Sequence, residues 1–407
     1  MNRLTCIALT LGLALVSNAH AAPRLNPWVG AWMAAQQVPE PQNALAPADL
    51  TDATLRQLVH VHVDGSAVRI RLSNAFGWAP LKVTSVHLAR AVSPGSPRID
   101  PATDHALTFD GHAEVIIPPG AEYLSDPLPL AVPAEANLAI TLYLEQPPAQ
   151  QTSHPGSRAT SYLVHGDQVS AADLPDARRI DHWFQLSGVE VLRSGAAIVA
   201  LGDSITDGHG ATTNGDDRWP DFLARRLTAA RRPLAVLNAG IGGNRVLLDG
   251  SGPNALARFD RDVLAQTGVR DLIILEGVND LGVLTRDHPV SAEAHADLVR
   301  RLTGAYAQMV QRAHAHGIKV IGATILPYGG SDYYHPDALN ETDRLALNRW
   351  IRAPGHFDAV IDLDQVMRDP AHPDRLRPAY DCGDHLHPSP AGYRAMAQAM
   401  PLGMFVP

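Results

Sequence analysis

The chain has 407 residues, with 33 basic and 42 acidic side chains and a formal net charge of −9. An acidic chain of this kind lacks the basic footprint of a nucleic-acid binder, and its length favours two domains over one. Lys82 and Lys319 are its only lysines, a bias of codon usage rather than of function.

In chain order, the opening reads as an export signal. Arg3 supplies the positive start, Leu4 to Val16 a mostly apolar run, and Ala19-His20-Ala21 a small-x-small cleavage site. The run is shorter than the roughly 20 residues of a membrane span, so residues 1–21 are expected to be removed, leaving an exported protein, secreted or periplasmic, without stable membrane insertion. Losing Arg3 leaves 32 basic against 42 acidic groups, a charge of −10. Cys6 lies inside the signal, which leaves Cys382 alone and excludes an intramolecular disulfide despite an oxidising destination. No cysteine follows the cleavage site, so a lipid anchor is not indicated.

Residues 24–194 show the period of two that marks half-buried antiparallel strands. Val68, Ile70 and Leu72 share one face with Arg69 and Arg71 on the other, and Leu138, Ile140, Leu142 and Leu144 repeat the pattern. Pro and Gly clusters separate these runs, with no long amphipathic helix between them. The expected architecture is a β-sandwich, jelly-roll-like.

From residue 195 to 407 the pattern changes. Ala196 to Leu201, Leu234 to Leu237, Asp271 to Leu275 and Ile318 to Thr324 are continuous apolar runs. Helical stretches alternate with them: Trp219 to Arg231, Ala255 to Gln266, Ala292 to His316 and Glu341 to Arg352. Ser291 is placed to cap the third helix and Gly317 to end it. Such alternation implies an α/β fold with a parallel sheet covered on both faces, and ligands bind beyond the carboxyl ends of such strands.

The polar motifs fall at those ends. The first run leads into Gly202-Asp203-Ser204-Ile205-Thr206-Asp207-Gly208, the second into Gly240-Ile241-Gly242-Gly243-Asn244, the third into Gly277-Val278-Asn279-Asp280. The last segment is Asp384-His385-Leu386-His387-Pro388. A serine hydroxyl is a weak nucleophile until a base takes its proton, and a carboxylate on the other nitrogen fixes the tautomer of that base. Asp384 and His387, three residues apart, suit one turn, with His385 pointing elsewhere. The glycine-rich loop and the Asn279 amide offer donors beside the Ser204 N–H for a tetrahedral oxyanion.

Bland readings compete. Ser204 alone would serve as a helix cap, and each glycine or asparagine alone as a turn residue. Asp384, His385 and His387 suit zinc, but no spaced partner such as H-E-x-x-H accompanies them, and no metal or other cofactor is expected. Cys382, a conceivable nucleophile, reads as a small buried residue. Asp207 and Arg245 read as loop salt bridges or caps. Trp28, Trp32 and Trp183 read as packing residues at least as readily as sugar platforms.

Taken together, the four segments resemble the ordered blocks of the SGNH (GDSL-type) hydrolases over residues 196–400. That resemblance implies a three-layer α/β/α domain with about five parallel strands, Ser204 as nucleophile, Asp384 and His387 completing the triad, and Ser204, Gly243 and Asn279 as the oxyanion hole. Gly240 and Gly242 are the alternatives to Gly243. Three N-terminal segments, Trp28 to Trp32, Arg71 to Gly77 and Trp183 to Gly188, resemble the β-sandwich region of a secreted SGNH subgroup related to esterases found alongside xylan-degrading enzymes. The combined expectation is a secreted esterase of short acyl groups, a carbohydrate O-acetylesterase acting on a small or polymeric ester. A lipase or broad arylesterase, and a carbohydrate-binding protein with a degenerate hydrolase half, stand as alternatives. Oligomeric state is left open.

Overall fold

The computed structural model describes residues 27–232 and 234–405; the segment expected to be an export signal, with its expected cleavage site, lies outside the described residues. Up to residue 192 the regular structure is almost entirely antiparallel sheet. A six-stranded sheet runs in the order Arg178–Ile180, Ser161–His165, Ala53–Val61, Ala136–Leu144, Ser85–Arg90, His105–Ala106. A four-stranded sheet runs Trp28–Met33, Leu186–Leu192, Val68–Ser73, Glu122–Leu124. Val68, Ile70 and Leu72 from one sheet and Leu138, Ile140, Leu142 and Leu144 from the other are fully buried in one core, as the alternation predicts.

The face opposite Val68, Ile70 and Leu72 departs from expectation, because it too is covered. Arg69 Nε and Arg71 Nη2 donate to the buried Glu190 carboxylate at 2.8 and 2.6 Å, and Thr267 Oγ1 donates to it at 2.7 Å from the other half of the chain. Three charged groups that would be solvated on a free sheet thus satisfy one another inside an interface. Period-two patterning distinguishes apolar from polar positions but cannot say whether the polar side meets water or a partner carboxylate.

After residue 195 a five-stranded sheet, parallel throughout, follows the order Leu234–Gly240, Ala196–Gly202, Val269–Leu275, Lys319–Ala323, Ala359–Ile361. The four predicted strands appear with shifted ends. The short fifth, too brief to stand out as an apolar run, was not among them. Of the predicted helices, Trp219–Ala229, Ala292–Ala315 and Ala338–Arg352 form. The stretch from Ala255 is α-helical only to Phe259 and continues as a π-helical turn over Asp260–Leu264. Ser291 caps its helix by accepting from Ala294 N, and Gly317 follows with φ +69°. Among the described residues no helix is long and apolar enough to cross a membrane.

The two regions share one hydrophobic core. The Trp28–Met33 strand packs on Leu234–Gly240, and Gly30 N donates to Thr267 O at 2.9 Å. Trp183 is 2% exposed, edge-on to Trp32 and stacked on His154, while Arg69 covers Trp28. The three tryptophans are packing residues. Since removing one partner of a buried ion pair typically costs about 3–5 kcal/mol, Glu190→Ala should lower the unfolding free energy by about that much in urea titration. A loss near zero would show that the two regions do not depend on this cluster.

Candidate active site

Sheet register sets the site. Gly202 pairs with Gly240 on one side and with Leu275 on the other, so the three strands end at one level and release three polar loops side by side. Strand order reverses direction around Ala196–Gly202, which makes its carboxyl end the switch point of the sheet.

Asp203, not Ser204, caps the short helix Ser204–Asp207, accepting from Ile205 N at 2.9 Å. That leaves Ser204 in the first helical position with its side chain free for other work. The turn needs glycine for close approach. A Cβ at Gly202 would lie 2.1 Å from Thr206 Oγ1 and 2.6 Å from Leu275 O, and one at Gly240 would lie 2.3 Å from Asp207 N.

Ser204 Oγ lies 2.7 Å from His387 Nε2, and His387 Nδ1 lies 2.6 Å from Asp384 Oδ2. The carboxylate accepts the Nδ1 proton, leaving the Nε2 lone pair for the serine hydroxyl. Asp384 Oδ1 also accepts from the backbone N–H groups of Leu386 and His387 at 3.0 and 2.8 Å. Burial raises the Asp384 carboxyl, but the hydrogen bond and charge of His387 outweigh it and hold the group well below the usual carboxylate range. His385 turns away to Asp381, 2.6 Å distant.

The donor side is equally defined. Gly240 N donates to Asn238 Oδ1 at 2.9 Å and Gly242 N to Asp207 Oδ2 at 3.1 Å. Gly243 N makes no hydrogen bond among the described residues, so of the three glycines its donor is the one left for a ligand. Asn279 Nδ2 gives one proton to Asn244 O at 2.7 Å, and Tyr334 Oη donates to Asn279 Oδ1 at 2.6 Å. The second amide proton is thereby oriented and unspent.

Several supporting residues carry no signal that sequence reasoning caught. Arg258 is fully buried beneath the loops, donating to Ala239 O at 2.7 Å, Gly202 O at 3.0 Å and Asn244 Oδ1 at 2.9 Å. It ties two strand ends to the glycine-rich loop. An arginine inside an otherwise apolar helical face was the available clue. Asp280 accepts from Val246 N and Leu247 N at 2.8 and 3.0 Å, and burial raises its carboxyl to about 6. Burial likewise raises Asp203, to about 7, and raises Glu276 well above its ordinary value with the nearby Asp203 adding to it.

His209 lies tilted by 35° against His387, with ring centroids 4.0 Å apart. Desolvation, followed by the His387 and Arg158 charges, depresses it to about 4, so at neutral pH it covers the His387 ring without adding charge. Asp207, read from sequence as a loop salt bridge or cap, is a buried tether: Oδ1 meets His154 Nε2 at 2.9 Å while Oδ2 holds Gly242 N. His154 donates its other N–H to Ala35 O at 2.7 Å, so the β region braces the loop that carries Gly243. Arg245 donates within its own loop, to Asp249 O. Cys382 corrects an expectation: it is exposed, not buried. Burial of part of the group and the charge of Asp384 push its thiol to about 11, and a neutral thiol is a poor nucleophile.

A hydroxyl, imidazole and carboxylate in hydrogen-bonded series beside free amide donors at a switch point is the arrangement that serine hydrolases use. Residues 200–395 match the GDSL-like lipase/acylhydrolase family, and this part of the chain is a domain of that family. Among curated proteins the chain is similar to an uncharacterized lipoprotein, YqeF, of Bacillus subtilis (strain 168). Identity there is 34% over 137 residues, covering 32% of this chain and 48% of that protein, so the chain spans about half the length of this relative. Among solved structures it is similar to the lipase/acylhydrolase from Enterococcus faecalis, at 22% identity and a TM-score of 0.38 over 50% of this chain and 92% of that one. An acetyl xylan esterase variant from Geobacillus stearothermophilus gives 22% and 0.37, over 51% and 93%.

The buried guanidinium supplies the test of this framework. Arg258→Leu removes the guanidinium donor from the Ala239 carbonyl and Asn244 Oδ1 and takes one of two donors from the Gly202 carbonyl and from Asp262, which keep Ile241 N and Arg261 Nε. The expected loss in equilibrium unfolding is about 3–5 kcal/mol; a variant as stable as wild type would remove Arg258 from this role.

Proposed function

We propose that the protein is a serine ester hydrolase in which Ser204 attacks the acyl carbonyl and His387, oriented by Asp384, moves the proton. The observation that carries the reading is the continuous 2.7 and 2.6 Å relay from Ser204 Oγ through His387 to Asp384. As Oγ bonds to the carbonyl carbon, its proton passes to Nε2. The oxyanion meets the N–H groups of Ser204 and Gly243 and the free amide proton of Asn279. Collapse of the intermediate expels the alcohol with the proton from Nε2. Water, deprotonated by the same nitrogen, then attacks the acyl-serine and releases the carboxylic acid.

Ser204→Ala should abolish hydrolysis of p-nitrophenyl acetate while leaving the circular dichroism spectrum unchanged, and wild-type turnover in that variant would end the assignment. Asn279→Ala removes one oxyanion donor and should lower kcat by roughly 10²–10³-fold.

For the substrate we favour short acyl esters of carbohydrate. Tyr333 is 60% exposed and lies edge-on to Tyr334, the residue that holds Asn279, with ring centroids 4.7 Å apart. The Arg286 guanidinium lies over its ring, 5.6 Å from the centroid, and the exposed remainder of the ring is a surface suited to a sugar. Tyr333→Ala should raise KM for acetylated xylan, followed by acetate release, without changing kcat/KM for p-nitrophenyl acetate; equal effects on both would remove the platform. A second reading, a longer-chain lipase or arylesterase, is favoured by a cavity of about 350 Å³ beside Asp280, lined by Leu247, Leu248, Val283 and Leu284. An activity optimum at C8 or longer would select it.

The region 24–194 serves on this reading as an integral wall of the hydrolase, joined to it through His154, Asp207 and Glu190, more than as a detachable binding module. The basic and apolar opening of the chain supports export.

A further inference from the structure

We propose that His60, His62 and Glu135 form a divalent transition-metal site, suited to zinc, where the six-stranded sheet faces the helix Trp219–Ala229. It is independent of the catalytic reading above.

The sequence places the donors by strand geometry. His60 lies near the end of the strand Ala53–Val61 and His62 two residues on, and residues two apart project to the same side of a strand. Glu135 immediately precedes the neighbouring strand, in which Asn137 pairs directly with His60. Glu135 takes φ +59°, a left-handed conformation that a glutamate seldom adopts, as its carboxylate reaches between the two rings. Its Oε2 lies 3.1 Å from His60 Nε2 and its Oε1 3.0 Å from His62 Nδ1. The ligand atoms of all three residues lie within 4.8 Å of one another.

Hydrogen-bond arithmetic over the two adjacent rings supports a shared ion. Each ring faces acceptors at both nitrogens: His60 Nδ1 meets Asn137 Oδ1 at 2.8 Å, and His62 Nε2 meets Asp221 Oδ1 at 3.3 Å. With the Asn137 amide oxygen toward His60, four contacts call for four ring N–H groups, and three with the amide turned, whereas two neutral imidazoles supply two. Protons alone satisfy the cluster by making His62 cationic, and His60 as well while the Asn137 oxygen faces it, with ring centroids 4.7 Å apart. A single dication between the rings and Glu135 replaces the two inner protons at equal charge. Each ring then stays neutral and gives its outer N–H to Asn137 or Asp221, the outer-shell pattern that fixes ligand tautomers at metal sites.

The surroundings balance the exchange. Asp216 lies 3.6 Å from His60 Nδ1, Arg225 3.6 Å from Glu135, and Arg218 3.7 Å from Asp221. Glu135, Asp216 and Asp221 thus face Arg218 and Arg225, and replacing two protons by one dication leaves that total unchanged. Imidazole with carboxylate is a zinc-type donor set, while magnesium and calcium prefer oxygen alone. Glu135 is 38% exposed at its side chain against 13% and 7% for the histidines, which gives solvent access to the remaining coordination positions. Asp221 belongs to the helix Trp219–Ala229, so the ion would fasten the β region to the hydrolase domain.

The test uses the full protein stripped with EDTA and titrated with Zn²⁺ or Mg²⁺ in calorimetry and thermal denaturation. The expected result is one zinc bound per chain, a rise in Tm with Zn²⁺ and none with Mg²⁺. Binding should be lost in His60→Ala and Glu135→Gln and weakened about 10–100-fold in Asp221→Asn. Glu135→Gln, at a partly exposed position, serves if the histidine variants fail to fold. No zinc uptake by the wild-type protein overturns the proposal. So does uptake that survives Glu135→Gln and disappears in His209→Ala, which would place the ion on the His209, Asp384 and His387 group instead.

Discussion

Three parallel strands that end at the same level leave a row of backbone carbonyls and tight loops with little room between them, and the buried Arg258 guanidinium occupies that room. It takes the carbonyls of Gly202 and Ala239 and the side chain of Asn244 in one planar fork. Lysine, a point charge on a flexible stem, lacks donors in that geometry. The carboxyls of Asp203, Glu276 and Asp280 crowd the same low-dielectric space, and burial raises all three. A fixed cation among groups that resist ionisation keeps the loops from spreading. Ser204, Gly243 and Asn279 inherit their relative positions from this arrangement.

The opposite wall comes from the β region. His154, between Ala35 O and Asp207, converts the packing of an antiparallel sheet into a restraint on the loop carrying Gly243. Glu190, with Arg69, Arg71 and Thr267, does the same lower down. Both are polar contacts sealed inside an apolar interface, where unpaired charge would be costly. The β region and the hydrolase domain are therefore coupled mechanically as well as covalently, and the loop carrying Gly243 is held by both.

Much of this was legible in the chain itself. Continuous apolar runs and amphipathic helices gave the doubly covered parallel sheet, because a strand buried on both faces cannot alternate. That Ser204, Asp384 and His387 would come into hydrogen-bond reach could be anticipated because a hydroxyl after the first strand and an imidazole with a carboxylate three residues before it are the groups a proton relay needs. Which of the Gly240, Gly242 and Gly243 N–H groups is left without a partner was not legible, since any glycine permits the turn and only the folded loops show that Gly240 N and Gly242 N are taken. Cys382 was misjudged as buried because a small apolar thiol says nothing about the loop around it.

What the sequence determined by itself is local: period, caps, turns and the chemistry of each side chain are written in neighbouring residues. Tertiary structure alone decided which distant groups meet. The polar face of Val68–Ser73 could have met water and meets Glu190 and Thr267 instead; Arg258 and Tyr334 look ordinary until their partners, remote in the chain, are in place. A hydrogen bond lasts only where both partners are brought within about 3 Å, and for partners a hundred or more residues apart the folding of the whole chain sets that distance.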